Sequence, residues 1–170
     1  MIKVVLTGSE STGKTELALR LGAHFHAPVA REFVREYAAN HEGPLGYGDH
    51  GPIAKGQMAS EDDAIARAKD IVLLDTDLVS TVVYCEHYFG RCPPWIDELA
   101  QARRAQLYLL MKADIPWLAD GVRDRGHMRD EMHQLFADKL RAMKLNFVEI
   151  GGEREARFEA AVRAIESLPR

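Results

Sequence analysis

The sequence predicts a three-layer α/β fold, with a five-stranded parallel sheet and helices on both faces, from two observations. Short apolar segments recur at residues 2–7, 28–31, 71–75, 106–111 and 146–150, and each is followed by a longer stretch of helical periodicity. That alternation builds parallel strands joined by crossover helices. Between the first apolar segment and its helix, residues 8–15 read G-S-E-S-T-G-K-T, which fits the phosphate-loop pattern G-x-x-x-x-G-K-[ST] at every constrained position. The expected architecture is that of P-loop nucleoside triphosphate hydrolases and kinases, in one domain over residues 1–170 with a lid segment over 120–130.

The first strand, I-K-V-V-L-T, and the helix T-E-L-A-L-R-L-G-A-H give the loop its strand-to-helix context, which separates a Walker A loop from an ordinary Gly/Ser turn. Gly8 and Gly13 allow a backbone that a Cβ would obstruct. Successive N–H groups of Ser9, Glu10, Ser11 and Thr12 can then turn toward a phosphate. Lys14 is expected on the β- and γ-phosphates of ATP and Thr15 on Mg²⁺, with the helix start aiming its positive dipole end at the same charge.

The second strand leads into "VAREFVREY", residues 29–37. Arg31 and Glu32 fall at its carboxyl end, where ligands collect in open α/β sheets. Glu32 is a candidate to accept the proton of an acceptor hydroxyl; the other reading is a solvated helix face with Arg35 and Glu36. Residues 40–52, "NHEGPLGYGDHGP", carry glycines and prolines that are expected to exclude helix and form a mobile loop. In the third strand, "DIVLLDTD" at 70–77, Asp75 is placed to hold Mg²⁺ opposite Thr15, or to cap the next helix. Asp77 reads equally as a cap or as a substrate contact.

After the fourth strand, "DIPWLADGVRDRGHMRDEMH" at 114–133 gathers Arg123, Arg125 and Arg129 around two glycines. Arginines delivered by a lid stabilise the charge of a transferring phosphoryl group and exclude water. The alternative is an exposed helix start paired with neighbouring acids. His127 and His133 receive no role. The last helix places Phe158, Val162, Ile165 and Leu168 on one face, to pack on the sheet.

Composition narrows the function classes. The 170 residues are 46% hydrophobic and 28% charged with a formal net charge of −4, which describes one compact domain and no global basic field for nucleic acid. Cys85 and Cys92 form neither C-x-x-C nor a metal spacing, so thiols in a reducing compartment are expected. No secretory h-region opens the chain and no apolar run approaches the roughly 20 residues of a membrane span. A cytoplasmic protein is expected, its partners being small molecules.

Five motifs in order, "GSESTGKTELA", "REFVREY", "IAKGQ", "LLDTDLVSTVVYCEHYFG" and "PWLADGVRDRG", resemble the nicotinamide riboside kinase module of NadR-type proteins over nearly the whole chain. The resemblance implies ATP and Mg²⁺ as co-substrates and phosphorylation of a ribose 5′-hydroxyl. It implies phosphate contacts from Gly13, Lys14 and Thr15, a metal or substrate role for Asp75 and Asp77, and a catalytic role for Arg123. Gln57, Tyr88 and Trp95 stand as pocket or packing residues, and Tyr37 joins Tyr88 and Trp95 as an aromatic able to hold a pyridinium ring. Two departures bear on the substrate. Nothing matches the adenylyltransferase domain of NadR-type proteins, and Arg31 stands where a ring-stacking tryptophan is expected. An anionic acceptor for Arg31 and a nucleotide-dependent switch are therefore the competing readings.

Overall fold

In the computed structural model, which describes residues 1–114 and 128–169, five parallel strands lie in the order β2-β3-β1-β4-β5. They are β1 (Ile2–Thr7), β2 (Val29–Ala30), β3 (Ile71–Asp75), β4 (Leu107–Met111) and β5 (Phe147–Ile150). Each falls within one residue of its expected start; β1, β3 and β4 carry the apolar runs that burial on both faces of a parallel sheet requires.

Side-chain alternation sorts the core into two layers. Val4, Leu6, Leu73 and Leu109 face α1 (Lys14–Phe25) and α7 (Arg154–Glu166). Val5, Leu74, Tyr108 and Leu110 face the other cluster, built from α3 (His50–Arg67), α4 (Leu78–Phe89), α5 (Pro94–Ala102) and α6 (Arg129–Ala142). The remaining helix, α2 (Phe33–Ala39), buries none of its residues and packs on α3. Phe158, Val162 and Leu168 pack against the first layer as expected, with Ile165 and Ala161 fully inside it.

The segment 40–52 departs from expectation. A 3-10 turn forms at Tyr47–Asp49, and α3 begins at His50 with Gly51 and Pro52 in its first turn. Proline is tolerated there because first-turn N–H groups have no intrahelical partner to lose. The Asp49 carboxylate also accepts the Gly46 N–H at 2.7 Å, fixing the turn that starts the helix.

One polar network is buried under α3 and α4. Glu61 is 1% exposed and accepts from Arg103 at 3.1 Å, while Asp77 accepts the Tyr108 hydroxyl at 2.8 Å. Burial, with Asp77 adding to it, pushes Glu61 up to about 7 from its ordinary 4.5. Between those values the folded protein keeps a proton that the unfolded chain has released, so this group's contribution to stability falls as pH rises through that window. Glu61→Gln mimics the protonated form and should remove the penalty. The variant's melting temperature, measured against the parent's at about pH 5 and about pH 8, should gain relative to the parent at the higher pH. A difference independent of pH refutes this.

Candidate active site

The sheet order brings the carboxyl ends of β1, β3 and β2 side by side, which sets three chemistry-bearing segments together. The Leu6–Asp75 register leaves the loop after β1 next to the end of β3. Gly8 sits at φ +131° with its missing Cβ 3.0 Å from the Met111 carbonyl, and Gly13 at φ +82°, so both positions need glycine. Ser11 adopts φ +55° without that freedom, a strain held by the surrounding loop. The Thr12 hydroxyl donates to Ser9 O at 2.9 Å and closes the turn.

Lys14 is 7% exposed and its Nζ donates to Gly8 O (3.1 Å) and Ser9 O (2.7 Å), spanning the mouth of the loop. Burial lowers its pKa, and the Glu32 and Asp75 carboxylates pull it back up. Thr15 Oγ1 donates to Asp75 Oδ2 at 2.6 Å, joining the loop to β3. Asp75 Oδ1 is buried and has no hydrogen-bond partner among the described residues, and burial raises this carboxyl's pKa against the pull of the Thr15 hydroxyl. A hydroxyl and a carboxylate with one unsatisfied oxygen are hard oxygen donors suited to Mg²⁺. No cluster of three His, Cys, Asp or Glu side chains occurs among the described residues, so phosphate oxygens and water would complete the shell.

Beside this pair opens a cavity of about 470 Å³, lined among others by Glu10, Lys14, Glu32, Gln57, Tyr84 and Tyr88. Glu32 occupies the N-cap position of α2, where its Oε2 accepts from Arg35 Nε at 2.7 Å. Gln57 holds that position: its Oε1 accepts the Phe33 N–H at 3.0 Å and its Nε2 donates to Thr76 O at 3.3 Å, linking α2, α3 and the end of β3. Across the cavity the rings of Tyr84 and Tyr88, one turn apart on α4, stack with centroids 6.2 Å apart. A carboxylate, an ammonium and an aromatic wall thus share one concave space.

A family model described as an AAA domain matches residues 3–157. The chain belongs to the AAA domain family. Among characterised relatives, the trifunctional NAD biosynthesis/regulator protein NadR of Escherichia coli (strain K12) is 32% identical over 97% of this chain but only 42% of its own length. A crystal structure of NadR in complex with NR superposes with a TM-score of 0.78 at 28% identity, covering 97% of this chain and 50% of the other. A second NadR structure, with NAD and AMP-PNP, gives 0.77 at 26% identity over 97% and 48%. A thymidylate kinase from Ehrlichia chaffeensis shares the fold, with a TM-score of 0.71 at 13% identity over 96% and 98%. The AAA-domain chain therefore spans less than half the length of the curated relative it matches. Its fold is the P-loop kinase fold expected from the alternation of strands and helices.

The structure gathers Glu10, Lys14, Glu32, Gln57 and Tyr88 around one cavity and seats Thr15 on Asp75 beside it. Asp77 is a cap: its Oδ1 accepts the Val79 N–H and its Oδ2 the Tyr108 hydroxyl. Arg31 is exposed and does not line the cavity. Nor do Tyr37, which donates to Asp49 at 2.6 Å, and Trp95, which packs against the core on α5. Arg123, Arg125 and most of the segment 120–130 lie outside the described residues. Arg129, at the start of α6, donates to Ser11 O at 3.3 Å and so reaches the phosphate loop. Tyr84 and Arg35 join the lining without having been expected there, although the four-residue spacing of Tyr84 to Tyr88 marks one helix face.

Asp75→Asn keeps the shape and loses the charge aimed at the metal. The Mg²⁺ concentration needed for half-maximal ATP turnover should rise on the order of tenfold, with a smaller change in ATP affinity. A superimposable Mg²⁺ titration would make Asp75 purely structural.

Proposed function

We propose that this chain is an ATP-dependent kinase of nicotinamide riboside, transferring the γ-phosphoryl group to the ribose 5′-hydroxyl to give nicotinamide mononucleotide and ADP. The carrying observation is that Glu32 and Lys14 line the same cavity as the stacked Tyr84 and Tyr88. In this reading the phosphate loop holds the triphosphate with Mg²⁺ on Thr15 and Asp75, and Lys14 neutralises charge on the β- and γ-phosphates. The 5′-oxygen attacks the γ-phosphorus, the bond to the β-phosphate bridging oxygen breaks, and the hydroxyl proton passes to Glu32.

The lining carboxylates Glu10 and Glu32 are balanced by Lys14 and by Arg35, which pairs with Glu32, so the tyrosine faces are what suits a cationic ring: a pyridinium over them gains roughly 0.5–2 kcal/mol of cation–π attraction. Exposed Arg31 leaves that ring undisturbed, and Arg35 is held by Glu32. The NadR complexes with NR and with AMP-PNP support both substrates by similarity. Residues 1–170 act as one catalytic domain in this reading, and ATP as donor suits a cytoplasmic site. No described helix is long and apolar enough to cross a membrane.

Mass spectrometry of reactions with Mg-ATP and nicotinamide riboside should show a product heavier by one phosphoryl group, with ADP formed in equal amount. Faster phosphorylation of another nucleoside reassigns the acceptor, and ATP hydrolysis indifferent to any acceptor replaces the kinase with a nucleotide switch.

A further inference from the structure

Among the described residues, a heavily partnered buried charge outside the cavity lies behind the phosphate loop. Arg157 on α7 is 5% exposed. Its Nε donates to Gly152 O (2.7 Å), Nη1 to Thr12 O (2.8 Å), and Nη2 to Lys112 O (2.9 Å) and to the Asp114 carboxylate. Three of these partners are main-chain carbonyls from separate places: the loop itself, the residue after β4 and the turn after β5. A buried guanidinium is costly unless its donors are matched, and the next inward positions on the same helix, Ala161 and Ile165, are simply apolar.

The Thr12 carbonyl belongs to the peptide unit whose N–H is that of Gly13. That unit is planar and trans, so its C=O and N–H point in opposite directions. Holding Thr12 O against α7 turns the Gly13 N–H away from α7. Gly13, at φ +82° and without a Cβ, offers no steric resistance to rotation of this peptide, so the orientation needs an outside anchor. Arg129 grips the preceding carbonyl, Ser11 O, in the same manner.

We propose that Arg157 is a positioning residue for ATP, locking the Thr12–Gly13 peptide so that the Gly13 N–H is presented to the nucleotide's phosphates. It acts through the backbone and touches no substrate. The inference rests on ATP being the donor but not on which acceptor is used.

The test is calorimetric binding of the magnesium complex of AMP-PNP and, separately, of nicotinamide riboside to the parent, Arg157→Lys and Asp114→Ala. Lysine keeps the charge but cannot span three carbonyls. Its affinity for AMP-PNP should fall about tenfold or more while affinity for nicotinamide riboside stays at the parent value. Asp114 is 42% exposed, so its truncation is tolerable to the fold, and loosening the guanidinium this way should weaken AMP-PNP several-fold. Unchanged AMP-PNP affinity in folded Arg157→Lys overturns the proposal, as does equal loss of both ligands, which is the signature of general destabilisation. If Arg157→Lys does not fold, unchanged affinity in Asp114→Ala overturns it. A parent that binds no AMP-PNP refutes the kinase reading first and separately.

Discussion

Lys14→Ala should reduce ATP-dependent phosphorylation on the order of a hundred- to a thousandfold, the scale seen when one preorganised charge-stabilising donor is removed. The ammonium is the cation placed across the loop mouth, donating to Gly8 O and Ser9 O, and in the proposed reaction it meets the β- and γ-phosphates. The fold should survive, because burial already lowers this lysine's pKa: its charge is held at a cost that the neighbouring carboxylates offset only in part. Initial rates at saturating ATP, with a thermal melt of the same preparation, check both halves. Parent-like turnover in a folded variant would remove the phosphate-loop assignment.

Glu32→Gln should lower kcat about a hundredfold or more while leaving KM for ATP within a few-fold, since proton acceptance contributes to the transition state and not to nucleotide binding. The amide retains the acceptor oxygen that Arg35 uses, so the start of α2 should keep its geometry. Steady-state kinetics with ATP varied at saturating nicotinamide riboside separates the two parameters. An unchanged kcat would leave Glu32 the role of holding Arg35 and pass proton removal to water.

Lys14 and Glu32 are legible in the sequence alone, whereas Tyr84, Arg35 and Arg157 are not. Tyr84 and Arg35 lie within the motif segments, but a single tyrosine or arginine carries no spacing signal strong enough to separate lining from packing. Asp77 shows the limit from the other side. One Asp two residues past a strand fits both a cap and a substrate contact, and only the Tyr108 hydroxyl and the Val79 N–H on its oxygens decide for the cap. Residues 50–52 begin α3 for a related reason. Gly and Pro read as helix breakers wherever they stand in the sequence, yet in the first turn of a helix they break nothing.

What the sequence by itself determined is what local rules govern. The strands follow from short apolar segments, the phosphate loop from two glycines and a lysine at fixed spacing, and the parallel sheet from the alternation of strand and helix. What only the tertiary structure decided is what depends on sheet order and on chain brought together from far away. The order β2-β3-β1-β4-β5 opens the cavity between Glu32 and the α4 tyrosines and leaves the Tyr108 hydroxyl on Asp77. It also delivers Arg157 to the Thr12 carbonyl across 145 residues. No local pattern encodes such contacts, because a guanidinium or a hydroxyl finds its partner by the shape of the packed core and not by its position along the chain.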